Sequence, residues 1–260
     1  HDALLCLNFL FYGLFVAACF ATVRLVLPAW VAWVITAIAA LHPDVLYRFS
    51  ELRSYGQFMA LAALAQWQLV RLLVQRSQGA AWWFLLWVGL ASLDNPLIFV
   101  LPCALVIGLR LAGQHQTLDG DRSLLIGTVL LGVALIPSAF GATQVPHGHG
   151  DMMTWLIASL PVVGLHGVGL LAGSRYRMLL GLSLATWLVL TLLFVIVETL
   201  VPQPGKVELW LYPLWFTGSV LGLDASVKLR PRPLVLAIVA VVVTLMVTQR
   251  ARERDDWRYF

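Results

Sequence analysis

Long apolar runs, parted only by short charged or proline-containing breaks, fill almost the whole of this 260-residue chain. They cover residues 4–26, 29–41, 55–74, 80–93, 97–111, 124–140, 152–172, 178–201, 209–223 and 234–247. A helical crossing of a bilayer takes about 20 apolar residues. Backbone in hydrocarbon must satisfy its own hydrogen bonds, which leaves helices or closed barrels. These runs do not alternate in short strands as a barrel demands. The pattern predicts an all-α fold, a polytopic transmembrane helical bundle of about 9–11 helices. Runs 29–41 and 80–93 fall short of a full crossing and are expected to be tilted, kinked or partly inserted.

Composition excludes the ordinary soluble classes. Only 12% of residues are charged and 60% are hydrophobic, against roughly 25% charged in soluble domains. The net charge of +4 is what basic membrane loops produce, and no basic stripe interleaved with aromatics points to nucleic acid. Cys6, Cys19 and Cys103 all lie inside apolar runs, where a small packing role is expected and a disulfide framework is not. The first run lacks the basic lead and small-residue cleavage site of a signal peptide. The start at His1 and the charged tail give the expectation of truncation at both ends. Residues 1–249 would be one transmembrane domain, and 250–260 the start of a further extracytoplasmic one.

Lys and Arg set the expected orientation. Breaks after the odd-numbered runs hold Arg24, Arg71, Arg76, Arg110, Arg122, Arg175, Arg177, Lys228, Arg230 and Arg232. Breaks after the even-numbered runs hold only Arg48, Arg53 and Lys206. The richer set is expected in the cytoplasm. The tail, with Arg250, Arg252, Arg254 and Arg258, runs against this bias, although Glu253, Asp255 and Asp256 offset most of its charge. The segment from His42 to Arg53, the Asp94-Asn95-Pro96 turn and the loop around His147, His149 and Asp151 then face outward.

The break at His42–Arg53, followed at once by Tyr55, packs two arginines, a glutamate, an aspartate and a histidine between two long apolar runs. Charge beside membrane spans is costly unless it meets water or a polar ligand. If 44–55 is helical, Asp44, Arg48, Glu51 and Tyr55 share one face, while Arg53 points elsewhere. Two readings stand side by side. One is a cavity wall whose Arg53 pairs with a phosphate through its planar fork. The other is an interfacial segment with a surface Arg48–Glu51 ion pair of small energetic weight. Asp94 and Asn95 likewise read either as cavity residues or as a cap ahead of Pro96.

The apolar helix, basic turn, second apolar helix and then His42-Pro43 followed by Tyr47-Arg48-Phe49-Ser50-Glu51-Leu52-Arg53-Ser54-Tyr55 form a pattern. Over residues 9–108 it resembles the membrane core of C-type-fold, polyprenyl-phosphate-sugar-dependent glycosyltransferases, the group of the protein mannosyltransferases and the lipid A aminoarabinose transferase. The family's motif is Tyr-Ser-x-Glu-x-Arg-x-Tyr-like, and the Pro, Tyr, Glu, Arg and Tyr match in order. Asp256-Trp257-Arg258 after the last apolar run is similar to the family's entry into an external domain. The chain departs from the family where Leu93-Asp94-Asn95-Pro96 replaces Thr-His-Tyr and where Leu209-Trp-Leu-Tyr-Pro213 replaces Arg-Tyr-Leu. Lys206 is then a candidate substitute for the lost arginine.

The resemblance implies transfer of a sugar from a polyprenyl-phosphate donor to a lipid, glycan or protein acceptor, on the outer face of a bacterial inner membrane. It implies Glu51, Arg53, Tyr55 and Arg48 as substrate-binding residues and Arg53 as the phosphate contact; Asp94 and Asn95, where the chain departs from the family, are added as candidates for the same cavity. The family's base lies in a first external loop, which is expected to precede His1, so no catalytic residue is assigned. No cofactor is assigned; a divalent metal is one option, with Glu51 orienting Arg53 or helping to hold it. His147, His149 and Asp151 have metal-ligand chemistry, but their glycine-rich setting supplies no fixed supporting shell; by position they are expected to form a gating loop. His166 reads as a hydrogen-bonded core histidine, and Trp82, Trp83 and Trp210 as interfacial anchors. The rival functions are a non-catalytic membrane subunit and a lipid or solute transporter.

Overall fold

The computed structural model describes residues 2–41, 43–50, 55–94, 96–111, 121–142, 163–164, 166–167, 170 and 177–196. Among these the fold is all-helical, with no strand. In chain order the elements are α1 (Asp2–Arg24), α2 (Ala29–Ala40), α3 (Pro43–Ser50), α4 (Tyr55–Gln75), α5 (Gln78–Ser92), a 3-10 turn (Pro96–Phe99), α6 (Val100–Leu111), α7 (Asp121–Ala142) and α8 (Arg177–Ile196). The runs expected at 209–223 and 234–247 lie outside the described residues.

Among the described residues, α1 and α4 are the two helices long and apolar enough to cross a membrane. The short runs stay short. The 12 residues of α2 rise about 18 Å, and the 15 of α5 about 22 Å, at 1.5 Å per residue. Run 97–111 departs from the expected single α-helix, because Pro96–Phe99 winds as a 3-10 turn before α6. Pro102 supplies the reason. It has no N–H to bond back to Ile98, so the chain ahead of it loses an α-helical hydrogen bond and tightens.

Helix α4 is the hub, packing most extensively against α5 and α1 and also touching α3 and α8. Its sequence explains the position. Gly56, Ala60, Ala62, Ala63 and Ala65 are all buried, and small side chains let neighbouring backbones approach closely. Phe58, Met59, Leu69 and Leu72 fill the space between. On the far side of α5, Gly127 of α7 sits under Leu85, where a Cβ would collide with Leu85 Cδ1. α4 and α5 form a hairpin with a two-residue link, Arg76-Ser77. Arg76 takes a left-handed φ of 52° to end α4, the position that glycine usually occupies.

Three threonine hydroxyls inside the helices turn back onto their own backbone. Thr22 donates to Ala18 O at 2.7 Å, Thr128 to Leu124 O at 2.6 Å and Thr186 to Leu182 O at 2.8 Å. These bonds satisfy the side chains locally, as a surrounding without water requires. Large apolar side chains cover the outside instead: Phe9, Leu10, Trp30, Trp33, Ile126 and Leu130 are all exposed.

Candidate functional site

The charged break becomes α3, an eight-residue helix opened by Pro43, whose fixed φ and missing N–H suit a first helical position. Val45 and Phe49, one turn apart, are both buried, while Leu46 and Ser50 are exposed. An amphipathic helix of this length has little stability alone, so its tertiary anchor decides where it lies. That anchor is Phe49. Its ring meets Tyr12 edge-on at 5.2 Å and Phe15 at 5.5 Å, both from α1. On its other side lies Gly56, in the first turn of α4. A Cβ at Gly56 would stand 2.8 Å from Phe49 Cδ1, so a hydrogen is what allows the ring to sit there.

Tyr12 ties in a third element. Its hydroxyl donates to Ala40 O in the last turn of α2 at 3.1 Å. Terminal helix carbonyls have no partner within their own helix, and this one is satisfied from α1. One tyrosine thus holds the end of α2 with its hydroxyl and the side of α3 with its ring. The result is a corner where α2 ends, α3 crosses and α4 begins, all against the middle of α1.

The expected site residues divide as follows. Tyr55 is the first residue of α4, half-buried and packed on the core. Arg48 and Asp44 belong to α3, but their side chains lie outside the described part of the structure. Glu51 and Arg53 lie outside the described residues, and so does any continuity of helix between α3 and α4. Asp94 is exposed just beyond α5, its N–H bonded to Ala91 O at 3.1 Å. The antiparallel α4–α5 hairpin puts Asp94 toward the same end as Tyr55. Pro96 does open the next helical element, as the cap reading anticipates; Asn95 itself is outside the described residues. So are His147, His149 and Asp151, together with Lys206 and Trp210. Among the described residues no three His, Cys, Asp or Glu side chains group as metal ligands.

Other expectations meet direct observations. His166 is buried and has an interaction partner. Trp82 and Trp83 are exposed on the first turns of α5, as anchors would be. Cys6, Cys19 and Cys103 are all free thiols. Residues not singled out from the sequence carry the local architecture: Tyr12, Phe49 and Gly56. The signal for Phe49 was present in its four-residue spacing from Val45. For Tyr12 there was none, because its partners lie 28 and 37 residues away along the chain.

A second polar cluster sits lower on α4. Arg71 Nη1 donates to Gln68 Oε1 at 3.2 Å, and its guanidinium lies 5.5 Å from the Trp67 ring centroid. Gln66 and Gln68 are buried. No family model, curated protein or solved structure matches the chain.

Proposed function

We propose that the chain is part of a polytopic integral membrane enzyme that transfers a sugar from a polyprenyl-phosphate donor to an acceptor on the extracytoplasmic side, and that it holds the supporting wall of the site. The observation that carries the reading is the corner at α3. A charged amphipathic helix, bearing the first half of the motif similar to the C-type glycosyltransferases, is fastened by Phe49 between a membrane-length helix and the start of a second one. Such a helix gives the following Glu51-Leu52-Arg53-Ser54-Tyr55 stretch a fixed starting point beside the bundle. Tyr55 then opens α4 on that same side.

In this reading Arg53 binds the donor phosphate, since a guanidinium offers paired N–H groups to phosphate oxygens. Glu51 and Arg48 set its orientation, and Tyr55, Asp94 and Asn95 line the sugar or acceptor side. The loop with His147, His149 and Asp151 closes over the lipid. Support for the membrane placement comes from the outward Phe, Leu and Trp side chains, which in water would form a large unfavourable surface.

The test is transfer in membranes carrying the complete enzyme that includes this chain, with a radiolabelled sugar on polyprenyl phosphate. Arg53→Ala is expected to lower turnover by about 100-fold, the usual scale for losing one electrostatic contact to a reacting group, while insertion is unchanged. Wild-type turnover by Arg53→Ala removes Arg53 from the mechanism. Label crossing the membrane without transfer favours a transporter instead.

A further inference from the structure

From Phe58 to Leu72 every residue of α4 is buried except Leu64, Trp67 and Arg71, which are half-buried. Spacings of three and four residues put these three on one face, so the hub helix reaches the surface through a strip one side chain wide. Toward the α4–α5 turn the strip passes from aliphatic to aromatic to cationic. A phospholipid runs from chain to headgroup in the same order.

Arg71 is held in place without being neutralised. Its Nη1 donates to Gln68 Oε1 and its guanidinium faces the Trp67 ring. An amide and an indole orient a guanidinium but bring no negative charge. Among the described residues these are its interactions, and no carboxylate pairs with it. The Nε–Nη2 edge is left for paired bonds to phosphate oxygens. A half-buried charge beside membrane helices is costly unless it meets a polar partner. The surroundings add positive charge. Arg76 is exposed at the turn itself. α7 runs parallel to α5, since Gly127 meets Leu85 and Gly89 meets Leu131. α6 joins their opposite ends and so brings its exposed Arg110 to the same end as Arg76. Asp121 and Arg122, which open α7 there, balance each other. Counted from the two-residue link, Trp82 of α5 stands as far from the turn as Arg71. Trp82 and Trp83 are exposed, and tryptophan marks the headgroup boundary of a bilayer.

We propose that this strip binds an anionic phospholipid of the leaflet on the α4–α5 turn side, with the lipid phosphate on Arg71 and an acyl chain along Trp67 and Leu64. The un-neutralised arginines select net negative headgroups over zwitterionic ones, because both carry the phosphate and only the latter bring a cation of their own. Arg71 lies about 24 Å along α4 from Tyr55 at 1.5 Å per residue, most of a hydrocarbon thickness of about 30 Å. A crossing α4 therefore carries this site toward one face of the bilayer and Tyr55 toward the other. The proposal rests on the membrane placement given above and is independent of sugar transfer.

Native mass spectrometry of the full chain, purified in detergent with equal amounts of phosphatidylglycerol and phosphatidylcholine, tests this. The wild type is expected to retain phosphatidylglycerol preferentially. Arg71→Gln is expected to retain at least about tenfold less, the worth of a hydrogen bond to a charged group. Trp67→Leu keeps the charge and removes the ring that holds it, and is expected to lose about threefold. Arg24→Gln alters an exposed arginine at another helix end and is expected to leave retention unchanged. Equal retention of the two lipids by the wild type overturns the site. So does an equal loss from Arg24→Gln and Arg71→Gln, which marks a general basic surface. The melting midpoint of the wild type gives a reading that needs no variant: phosphatidylglycerol is expected to raise it more than phosphatidylcholine, and an equal effect of the two overturns the site. Sugar transfer enters neither readout, so loss of the site leaves that activity standing. A wild type that fails to insert into any bilayer removes the membrane placement and the site with it.

Discussion

Both α1 and α4 are long and apolar enough to cross a membrane, but 28% of the apolar stretch of α1 is buried against 67% of that of α4. The less buried helix is also the more apolar one. In a water-soluble fold the order would be reversed, because burial of apolar surface drives the folding. Here the more apolar helix turns Leu7, Phe9, Leu10 and Leu14 outward, and the helix with Gln66, Gln68 and a run of alanines occupies the centre. The difference teaches that packing, not hydropathy, assigns position in this bundle. Where the surroundings are themselves apolar, close van der Waals contact between small residues is what distinguishes inside from outside.

Phe49 wedges beside the junction of the two helices, touching both, so its removal tests the comparison most severely. Phe49→Ala takes away the ring that fills the space between Tyr12, Phe15 and Gly56. A loss of about 3–5 kcal/mol is expected, the range for truncating a buried phenylalanine. Reversible unfolding in detergent measures it. A loss below about 1 kcal/mol, as for ordinary surface changes, means that α3 is held elsewhere. Next in size is Ala62→Leu. Ala62 is fully buried in α4, and overpacking such a site costs about 1–3 kcal/mol. The same experiment reads it, and a neutral result places slack in the hub that the burial pattern does not show.

Much of this fold was legible in the chain. The helix ends of α1, α2, α4 and α5 follow the polar and proline breaks at Arg24 to Pro28, His42–Ser54 and Arg76-Ser77, because polar groups and prolines interrupt apolar helices locally. What was not legible is non-local. Nothing near Tyr12 in sequence says that its hydroxyl reaches Ala40, and nothing near Gly56 says that Phe49 needs the room. Alternation cannot rank α4 above α1, since both satisfy the same length criterion. Of the candidate site, the helix supposed over 44–55 is observed over Pro43–Ser50, while 51–54 lie outside the described residues. The face chosen for attention held charge, whereas the structural anchor was the apolar Val45–Phe49 pair beside it.

The turn that closes the α4–α5 hairpin gives a change of opposite sign. Arg76 holds a φ of 52°, a region in which a side chain with Cβ pays roughly 1–2 kcal/mol. Arg76→Gly relieves that strain but adds backbone freedom to the unfolded chain, so a net stabilisation of about 0.5–1 kcal/mol is expected. An increase in the melting midpoint in detergent confirms it. A decrease means that the Arg76 side chain contributes more to the turn than its backbone costs.

The smallest effect is expected on the outer face of α1. Phe9 is 71% exposed, and its ring has acyl chains as its natural surroundings if α1 crosses the bilayer. Phe9→Ala then exchanges one lipid-facing apolar group for a smaller one. Neither packing nor hydrogen bonding within the bundle changes, so stability should move by no more than about 0.5 kcal/mol, as for surface substitutions generally. Phe9→Asp sharpens the contrast. A carboxylate there is neutral for a helix standing in water, whereas in hydrocarbon it costs about 2.5–3.5 kcal/mol on insertion scales. The pair of variants therefore separates two causes of exposure. If Ala is silent and Asp blocks insertion, measured as the fraction resistant to carbonate extraction, the outward face of α1 meets lipid. If both are silent, it meets water, and the inversion between α1 and α4 needs another cause. If Ala alone costs more than about 2 kcal/mol, the size of a buried apolar side chain, Phe9 packs against protein, and α1 is as central as α4.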